Sequence, residues 1–326
     1  MSLITQTSEA ISLESLIDER TFPTNAKLIE FADLPPDCVA YNPSKVFYDN
    51  GEALIMVRVE LRKDELSSET WVYRYQDEYD EKLNRNGDLV LPWQDPFAAH
   101  VQGKLITGGV RVFRNPNNLA ELESFCTEMM IGDTLDDQEL LCRIWGMKDV
   151  RPVDMSTNYR KRMGIYGRPQ NGHATGDISY AEVETPYHLT EAIVKQAQVI
   201  TKGKFKDGIW CGANDALHLS NGHNLVGGHV GRYNPYNSLK KEYRGLLFIH
   251  DPITNEIYDL KIGPSKSDFP GDFEDIYFTG GFHEEPDAPT MIPRHRNIEN
   301  LRLVLTGGVG DAAVSNCVMI MSAAAA

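Results

Sequence analysis

A turn followed by an apolar strand that ends in small and basic residues occurs five times in this chain. The copies are Asn50-Gly51 into ALIMVRVE, Gln102-Gly103 into KLITGGVRV, Asn158-Tyr159 into KRMGIYGRP, Asn221-Gly222 into HNLVGGHVG and Glu299-Asn300 into LRLVLTGGVGD. A repeat spaced by roughly 50 to 80 residues marks equivalent blades set around an axis. Five copies predict an all-β fold, a five-bladed β-propeller. In such a fold equivalent positions point at the same axis. Roughly six to nine residues before each of the first four turns lies a polar residue. These are Asn42 in YNPSKV, Asp95 in WQDPFAAHV, Asp149 in MKDVRPVDM and Asn214-Asp215 in CGANDALHL, and they are predicted to converge although far apart in sequence.

The repeats fill most of the 326 residues, which predicts one domain over 26–322 behind a polar tail over 1–25. A short helix is expected at Leu13 to Glu19 in that tail. The blades are expected at about 28–75, 88–130, 139–182, 208–258 and 273–321, the last interrupted by the proline-rich loop EEPDAPTMIPRH. The stretch LAELESFCTEMMIG fits neither the helix nor the strand period cleanly, and the repeat favours strand. Thr190 followed by EAIVKQAQVI predicts a helix inserted between blades, with the hydroxyl at its N-cap.

A net charge of −15 excludes a nucleic-acid partner and an anionic membrane surface as expectations, since both are bound by basic patches. It leaves open a neutral or phosphorylated sugar met by locally gathered cations. The five cysteines lack CxxC spacing, and the nine histidines lack HxxxH or HxH spacing, so no disulfide framework, metal or cofactor is expected. With neither a signal peptide nor a run of transmembrane length, a cytoplasmic location is expected. Gly108-Gly109, Gly227-Gly228 and Gly307-Gly308 follow strands and precede no helix, which favours close packing over phosphate loops.

Asp95, Asp149 and Asp215 on neighbouring inner strands suit cleavage of a glycosidic bond, which needs a carboxyl group able to carry a proton. Crowding carboxylates together is expected to raise one of their pKa values. The alternative is that they cap turns. Arg58, Arg111, Lys148, Arg168 and His229 lie at or beside the same positions. They are either an anion site or closed salt-bridge partners of the aspartates. Trp93, Tyr41, Trp210 and Tyr233 either stack on sugar faces or pack the core.

These segments resemble, in order, the motifs of the β-mannoside phosphorylases and hydrolases of glycoside hydrolase family 130, which are five-bladed propellers. Asn42-Pro43 and Arg58 are similar to that family's sugar-binding Asn and Tyr-Arg positions. Gln94-Asp95-Pro96-Phe97 resembles its Glu-Asp-Pro-Arg, Lys148-Asp149 its Lys-Asp, and Arg168-Pro169 its Arg-Pro. Gly228-His229-Val230-Gly231 is similar to its Tyr-His-Gly, and Gly308-Val309-Gly310-Asp311 to its Gly-Ala-Ala-Asp. A closer resemblance is to the domain-of-unknown-function family 1861, associated with the mannosyltransferase-phosphorylases of glycosyltransferase family 108. The resemblance implies a β-mannoside, in particular β-1,2-mannan, phosphorylase or mannosyltransferase using mannose-1-phosphate or GDP-mannose, with inversion. It implies Asp95 as general acid or base, Asn42, Arg58, Asp149, Asp215 and Asp311 on the sugar, and Lys148, Arg168 and His229 on phosphate. Mannose oligosaccharides and inorganic phosphate, or a phosphate-activated mannose, are the implied partners. Phe97 stands where family 130 has arginine, and Arg111 is the candidate for the missing cation.

Overall fold

The computed structural model describes residues 10–11, 24–62, 64–76, 82–157, 159–169, 176–263, 269, 277–284, 301–310 and 313–321. The expected helix at Leu13 to Glu19, the proline-rich loop beyond Glu284 and Asp311 lie outside them. The chain is all-β. Strands β1 (Thr24–Phe31), β2 (Cys38–Pro43), β3 (Phe47–Asp49), β4 (Glu52–Leu61), β5 (Glu69–Arg74) and β6 (Lys82–Leu91) come first. The next group is β7 (Gln94–Val101), β8 (Lys104–Asn115), β9 (Asn118–Gly132) and β10 (Glu139–Trp145). Then follow β11 (Lys148–Asp154), β12 (Met163–Arg168), β13 (Ser179–Val183), helix α1 (Glu191–Lys195) and β14 (Gln198–Val199). The last two groups are β15 (Ile209–His218), β16 (Asn224–Asn234), β17 (Asn237–Asp251), β18 (Glu256–Ile262), and β19 (Tyr277–Glu284), β20 (Leu301–Val309), β21 (Ala313–Met321).

Strands β7 to β10, β11 to β14 and β15 to β18 form three four-stranded sheets. A nine-stranded sheet runs β19-β20-β21-β1-β6-β5-β4-β2, with β3 beside β4. In it β1 pairs antiparallel with β21 and, over Glu30↔Lys82 and Phe31↔Leu83, parallel with β6. The antiparallel pairing joins the two ends of the chain, and the short parallel one links the strands β19 to β21 to the first group. Around the middle, β2 touches β7, β7 touches β11, β11 touches β15, β15 touches β19 and β19 touches β2, which closes a ring of five strands.

Three of the five predicted turns are described, and their backbones explain their sequences. Asn50 and Gly51 have φ of 49° and 83°, Gln102 and Gly103 of 53° and 82°, and Gly222 of 89°. Two-residue hairpins need positive φ to match the twist of their strands, which asparagine and glycine reach at least cost. The other two turns include residues outside the described set.

Apolar faces of adjacent sheets meet and hold the ring together. Phe97, Ile106, Met129, Met147, Val150 and Ile165 pack between the second and third groups of strands, and Tyr166, Tyr180, Cys211, Val226 and Phe248 between the third and fourth. Each such side chain, fully buried, contributes about 1.5–3 kcal/mol of transfer free energy. Burial also pushes the thiols of Cys126, Cys142 and Cys211 up to about 11, 12 and 12, which makes them poor nucleophiles.

Two expectations need correction. Residues 190–200 do not form one helix: Thr190 does cap α1, its hydroxyl accepting from the Ile193 N–H at 3.3 Å, but the helix ends at Lys195. The chain then pairs Gln198 and Val199 with Tyr180 and Ser179, because a strand edge there satisfies backbone groups that a longer helix would leave uncovered. The expected blade limits are also offset. Glu139–Trp145 completes the second sheet as β10, and Thr24–Phe31, placed across the tail boundary, completes the sheet of β19 to β21. The stretch LAELESFCTEMMIG is strand, as the repeat implied.

Candidate active site

Each ring strand carries an irregularity at the same place. The register shifts fall between Tyr41 and Pro43, Gln94 and Phe97, Lys148 and Arg151, Ala213 and Asp215, and Thr279 and Gly281. A bulge bends its strand and re-aims one side chain. The residues so placed include Asn42, Asp95, Asp149 and Asn214. Asn42, Asp95 and Asp149 have φ of 45°, 48° and 55°, a left-handed conformation that Asn and Asp tolerate best among residues with a side chain. Its cost of about 1 kcal/mol or more per residue is typical of functional sites.

The bulges bring Asn42, Arg58 and Asp95 together. Asn42 Nδ2 donates to Asp95 Oδ1 at 2.8 Å, and Arg58 NH1 reaches the same oxygen at 3.1 Å. The other nitrogens of Arg58 turn to Glu60, Nε at 3.0 Å and NH2 at 2.7 Å from Oε2, while the Tyr41 hydroxyl donates to Glu60 Oε1 at 2.7 Å. Burial works against the Asp95 charge, but the Arg58 and Lys148 charges and the hydrogen bonds from Asn42 and Arg58 outweigh it and hold the carboxyl down at about 2. The crowding of carboxylates expected to raise an aspartate is therefore overruled at Asp95 by cations. Burial lowers the Lys148 ammonium, with Asp95 opposing, and no carboxylate is bonded to it among the described residues. Its Nζ lies 5.3 Å from the Phe125 ring centroid.

Asp149, Arg168, His229 and Asn214 form the second half. Arg168 NH1 donates towards His229 Nε2 at 3.1 Å and lies 3.1 Å from Asp149 Oδ2, an ionic contact without hydrogen-bond alignment. His229 Nδ1 meets Asn214 Oδ1 at 2.8 Å. Burial pushes the His229 imidazole down to about 4, so it is neutral, and with its proton on Nδ1 it donates to Asn214 and accepts from Arg168. Both ring nitrogens are thus engaged by protein, which departs from the free phosphate ligand implied for His229. Arg168 Nε and Asn214 Nδ2 are buried donors, and Asn42 Oδ1 a buried acceptor, without a protein partner. Two glycines make room here: a Cβ on Gly308 would stand 2.2 Å from Asn42 Oδ1, and one on Gly212 2.4 Å from Asp149 Oδ2.

Other candidates lie elsewhere. Asp215 is bonded to Lys45 Nζ at 2.9 Å and to the Phe282 N–H at 3.1 Å, so Asn214 rather than Asp215 joins the site. Arg111 is paired with Glu128 at 3.2 Å, a carboxylate shared with Arg143 at 2.7 Å and with the Trp93 indole at 3.2 Å. It therefore does not replace the missing cation beside Asp95. A further buried arginine, Arg151, is bonded to the backbone there. Its guanidinium lies 4.9 Å from the Phe97 ring centroid and donates to the carbonyls of Asn214, Val150 and Asp95 at 2.9, 3.1 and 3.2 Å. An arginine at the centre of the short strand KDVRPVD was the signal for it. Trp210 is buried against Tyr233 and Tyr243 as core, while Tyr233 is itself 44 % exposed.

The neutral histidines predict how stability depends on pH. His229 and His250 both sit at about 4 in the fold because burial disfavours the imidazolium, against an ordinary 6.5. Their contribution is full above 6.5 and is lost as the pH falls from there to about 4, where the unfolded chain binds the extra protons. Thermal melts are expected to show this loss, about 3 kcal/mol per histidine at most. Asp95 adds its own loss only below 3.8, towards about 2. A melting temperature that stays level from pH 7 to pH 4 would contradict this (about two proton-binding sites' worth of slope is expected).

Known proteins share the fold that carries this arrangement. A mannose phosphorylase from Leishmania mexicana in complex with phosphate ion, MPT-4, superposes with a TM-score of 0.78 at 21% identity, over 94% of this chain and 91% of that one. MPT-1, a GDP-Man-dependent mannosyltransferase from the same organism, gives 0.76 at 20% identity over 94% and 92%. A β-1,2-mannobiose phosphorylase from Listeria innocua gives 0.59 at 14% identity over 94% of each chain. At these identities the likeness is one of fold. No curated protein sequence matches the chain. The family described as protein of unknown function (DUF1861) matches residues 18–292, and the chain belongs to that family.

Proposed function

We propose that this protein is a mannoside phosphorylase or mannosyltransferase, working by inversion on β-1,2-linked mannose with Asp95 as the acid–base group. The carrying observation is the Asp95 carboxylate held between Asn42 and Arg58, beside Lys148 and near buried, unpartnered donors on Arg168 and Asn214. The similar structures in the Leishmania proteins and the Listeria phosphorylase support this reading. The closed ring of β2, β7, β11, β15 and β19, with a bulge repeated in each strand, supports a five-bladed propeller as its scaffold.

In synthesis, an acceptor hydroxyl gives its proton to Asp95, its oxygen attacks the anomeric carbon of mannose-1-phosphate, and the carbon–phosphate oxygen bond breaks. Lys148, Arg168 Nε and Asn214 Nδ2 take the departing phosphate. An aspartate held down at about 2 is ionised at neutral pH, the form that can accept this proton, and is a weak base until its surroundings raise it. In phosphorolysis the steps reverse: phosphate attacks, the glycosidic bond breaks, and its oxygen receives the proton Asp95 carries. A phosphate dianion bound beside the carboxylate makes that protonation easier, since like charge disfavours the ionised form. Sugar binding falls to Asn42, Arg58 and Asp311.

A second reading, hydrolysis on the same site, is favoured by the ion pairs of Arg58 with Glu60 and of Arg168 with Asp149, which already compensate two of the cations. One experiment separates them. Incubation with mannose-1-phosphate and a mannose acceptor is expected to release inorganic phosphate, and β-1,2-mannobiose with phosphate to yield mannose-1-phosphate. Free mannose formed from mannobiose without phosphate uptake would establish the hydrolase, and no turnover of any mannosyl donor would sink both.

A further inference from the structure

Glu60 is a buried carboxylate, and the reaction just described does not use it. It lies two residues from Arg58 on β4, so both side chains share one face of the strand. Tyr41, opposite Arg58 on β2, completes the group. Glu60 Oε1 accepts from Tyr41, and Oε2 takes Arg58 Nε, Arg58 NH2 and the Ser68 hydroxyl. Glu60, Arg58, Ser68 and Tyr41 are all under a tenth exposed. A buried ion pair is weak evidence for a stabilising role, because apolar residues of the same volume often do as well or better. Its geometry here points elsewhere: two of the three guanidinium nitrogens go to Glu60 and one, at 3.1 Å, to Asp95.

We propose that Glu60 is a positioning residue for Asp95: by engaging Nε and NH2 of Arg58 it leaves a single nitrogen for the Asp95 carboxylate and so limits the pull of Arg58 on it. The proposal rests on the reading of Asp95 as the acid–base group. Without Glu60, an arginine fork turns readily to bind a neighbouring carboxylate with two parallel bonds. Asp95 would then hold its charge too firmly to pick up the proton that phosphorolysis needs. The other groups facing Asp95 are Lys148 on β11, Arg151 on the Asp95 carbonyl, Asn42 on β2 and the neutral His229 on β16. Glu60 is the carboxylate that shares Arg58 with it.

Glu60→Gln keeps the shape and an acceptor for Arg58 but deletes the charge. The alkaline limb of the phosphorolysis pH profile is expected to move down by about one pH unit. Tyr41→Phe removes a hydrogen bond from Glu60, throws more of its charge onto Arg58, and is expected to move the same limb up by a smaller amount. A merely structural role would lower kcat at every pH without moving the limb. A crystal structure of Glu60→Ala is expected to show Arg58 turned to bond both oxygens of Asp95. If the wild-type protein turns over no mannoside with phosphate, the phosphorylase reading fails, and the crystal structure still decides the role of Glu60. An unmoved limb in Glu60→Gln, or an Arg58 that keeps its place in Glu60→Ala, overturns it.

Discussion

Replacing Asp95 with asparagine is expected to lower kcat for phosphorolysis and for synthesis by about a thousandfold, the usual worth of a positioned acid–base group. The fold should survive. Asparagine accepts the left-handed backbone that Asp95 has at φ 48°, as Asn42 does at 45°, and its carbonyl oxygen can still receive Asn42 and Arg58. The deficit in rate should therefore be chemical, with KM little changed, while the melting temperature falls because the contribution of the lost carboxylate, about 2 kcal/mol, goes with it. A mannosyl donor whose leaving group needs no proton should recover much of the lost rate on the variant. Steady-state kinetics with both donor types, beside a thermal melt, would check this. A variant as active as wild type on a natural mannoside would remove Asp95 from the reaction.

Arg168→Met is expected to act on stability and on phosphate at once. Arg168 and Asp149 are both buried, with side chains 10% and 3% exposed, and their ends are 3.1 Å apart. Removing the cation leaves the carboxylate uncompensated, at a cost of about 3 kcal/mol. The KM for phosphate should rise by about 30-fold or more, because the Nε donor is lost with the charge. Adding Asp149→Asn, which removes the unpaired charge and keeps a residue suited to the left-handed backbone at φ 55°, should restore most of the stability and none of the phosphate affinity. Melts of the single and double variants, with phosphate titrations, separate the two effects. Phosphate affinity unchanged in Arg168→Met would place the anion elsewhere.

Local chemistry made much of this legible from the chain alone. Asn50-Gly51 and Gln102-Gly103 are turns because few residues adopt positive φ without strain, and that rule is written in residue type. The polar residues upstream of the turns were found by equivalence, and the bulges do bring Asn42, Asp95, Asp149 and Asn214 to one irregularity in successive ring strands. The helix at 190–200 was over-read because a genuine cap at Thr190 starts a turn whose continuation is decided by the edge of β13, some ten residues back. Strand β1 could not be assigned to β21 from sequence, since that partner lies nearly the whole chain away. Arg151 escapes a reading along the chain because its partners are backbone carbonyls, two of them on other strands, whereas Glu60 was passed over although its partner Arg58 stands two residues before it on the same face of β4.

What the sequence determined by itself was the repeat, its strands and turns, the acidity of the chain and the polar side chains assigned to one axis. Each of these follows from short-range periodicity and backbone preference, which act within a few residues. Only the tertiary structure decided the charges. Whether Asp95 is an acid or a base at rest depends on Arg58 and Lys148 outweighing its burial, and whether His229 is charged depends on the burial of its ring. Those balances are set by distances of a few ångströms between residues from different strands, where Coulomb energy and desolvation are largest and sequence separation carries no information about either.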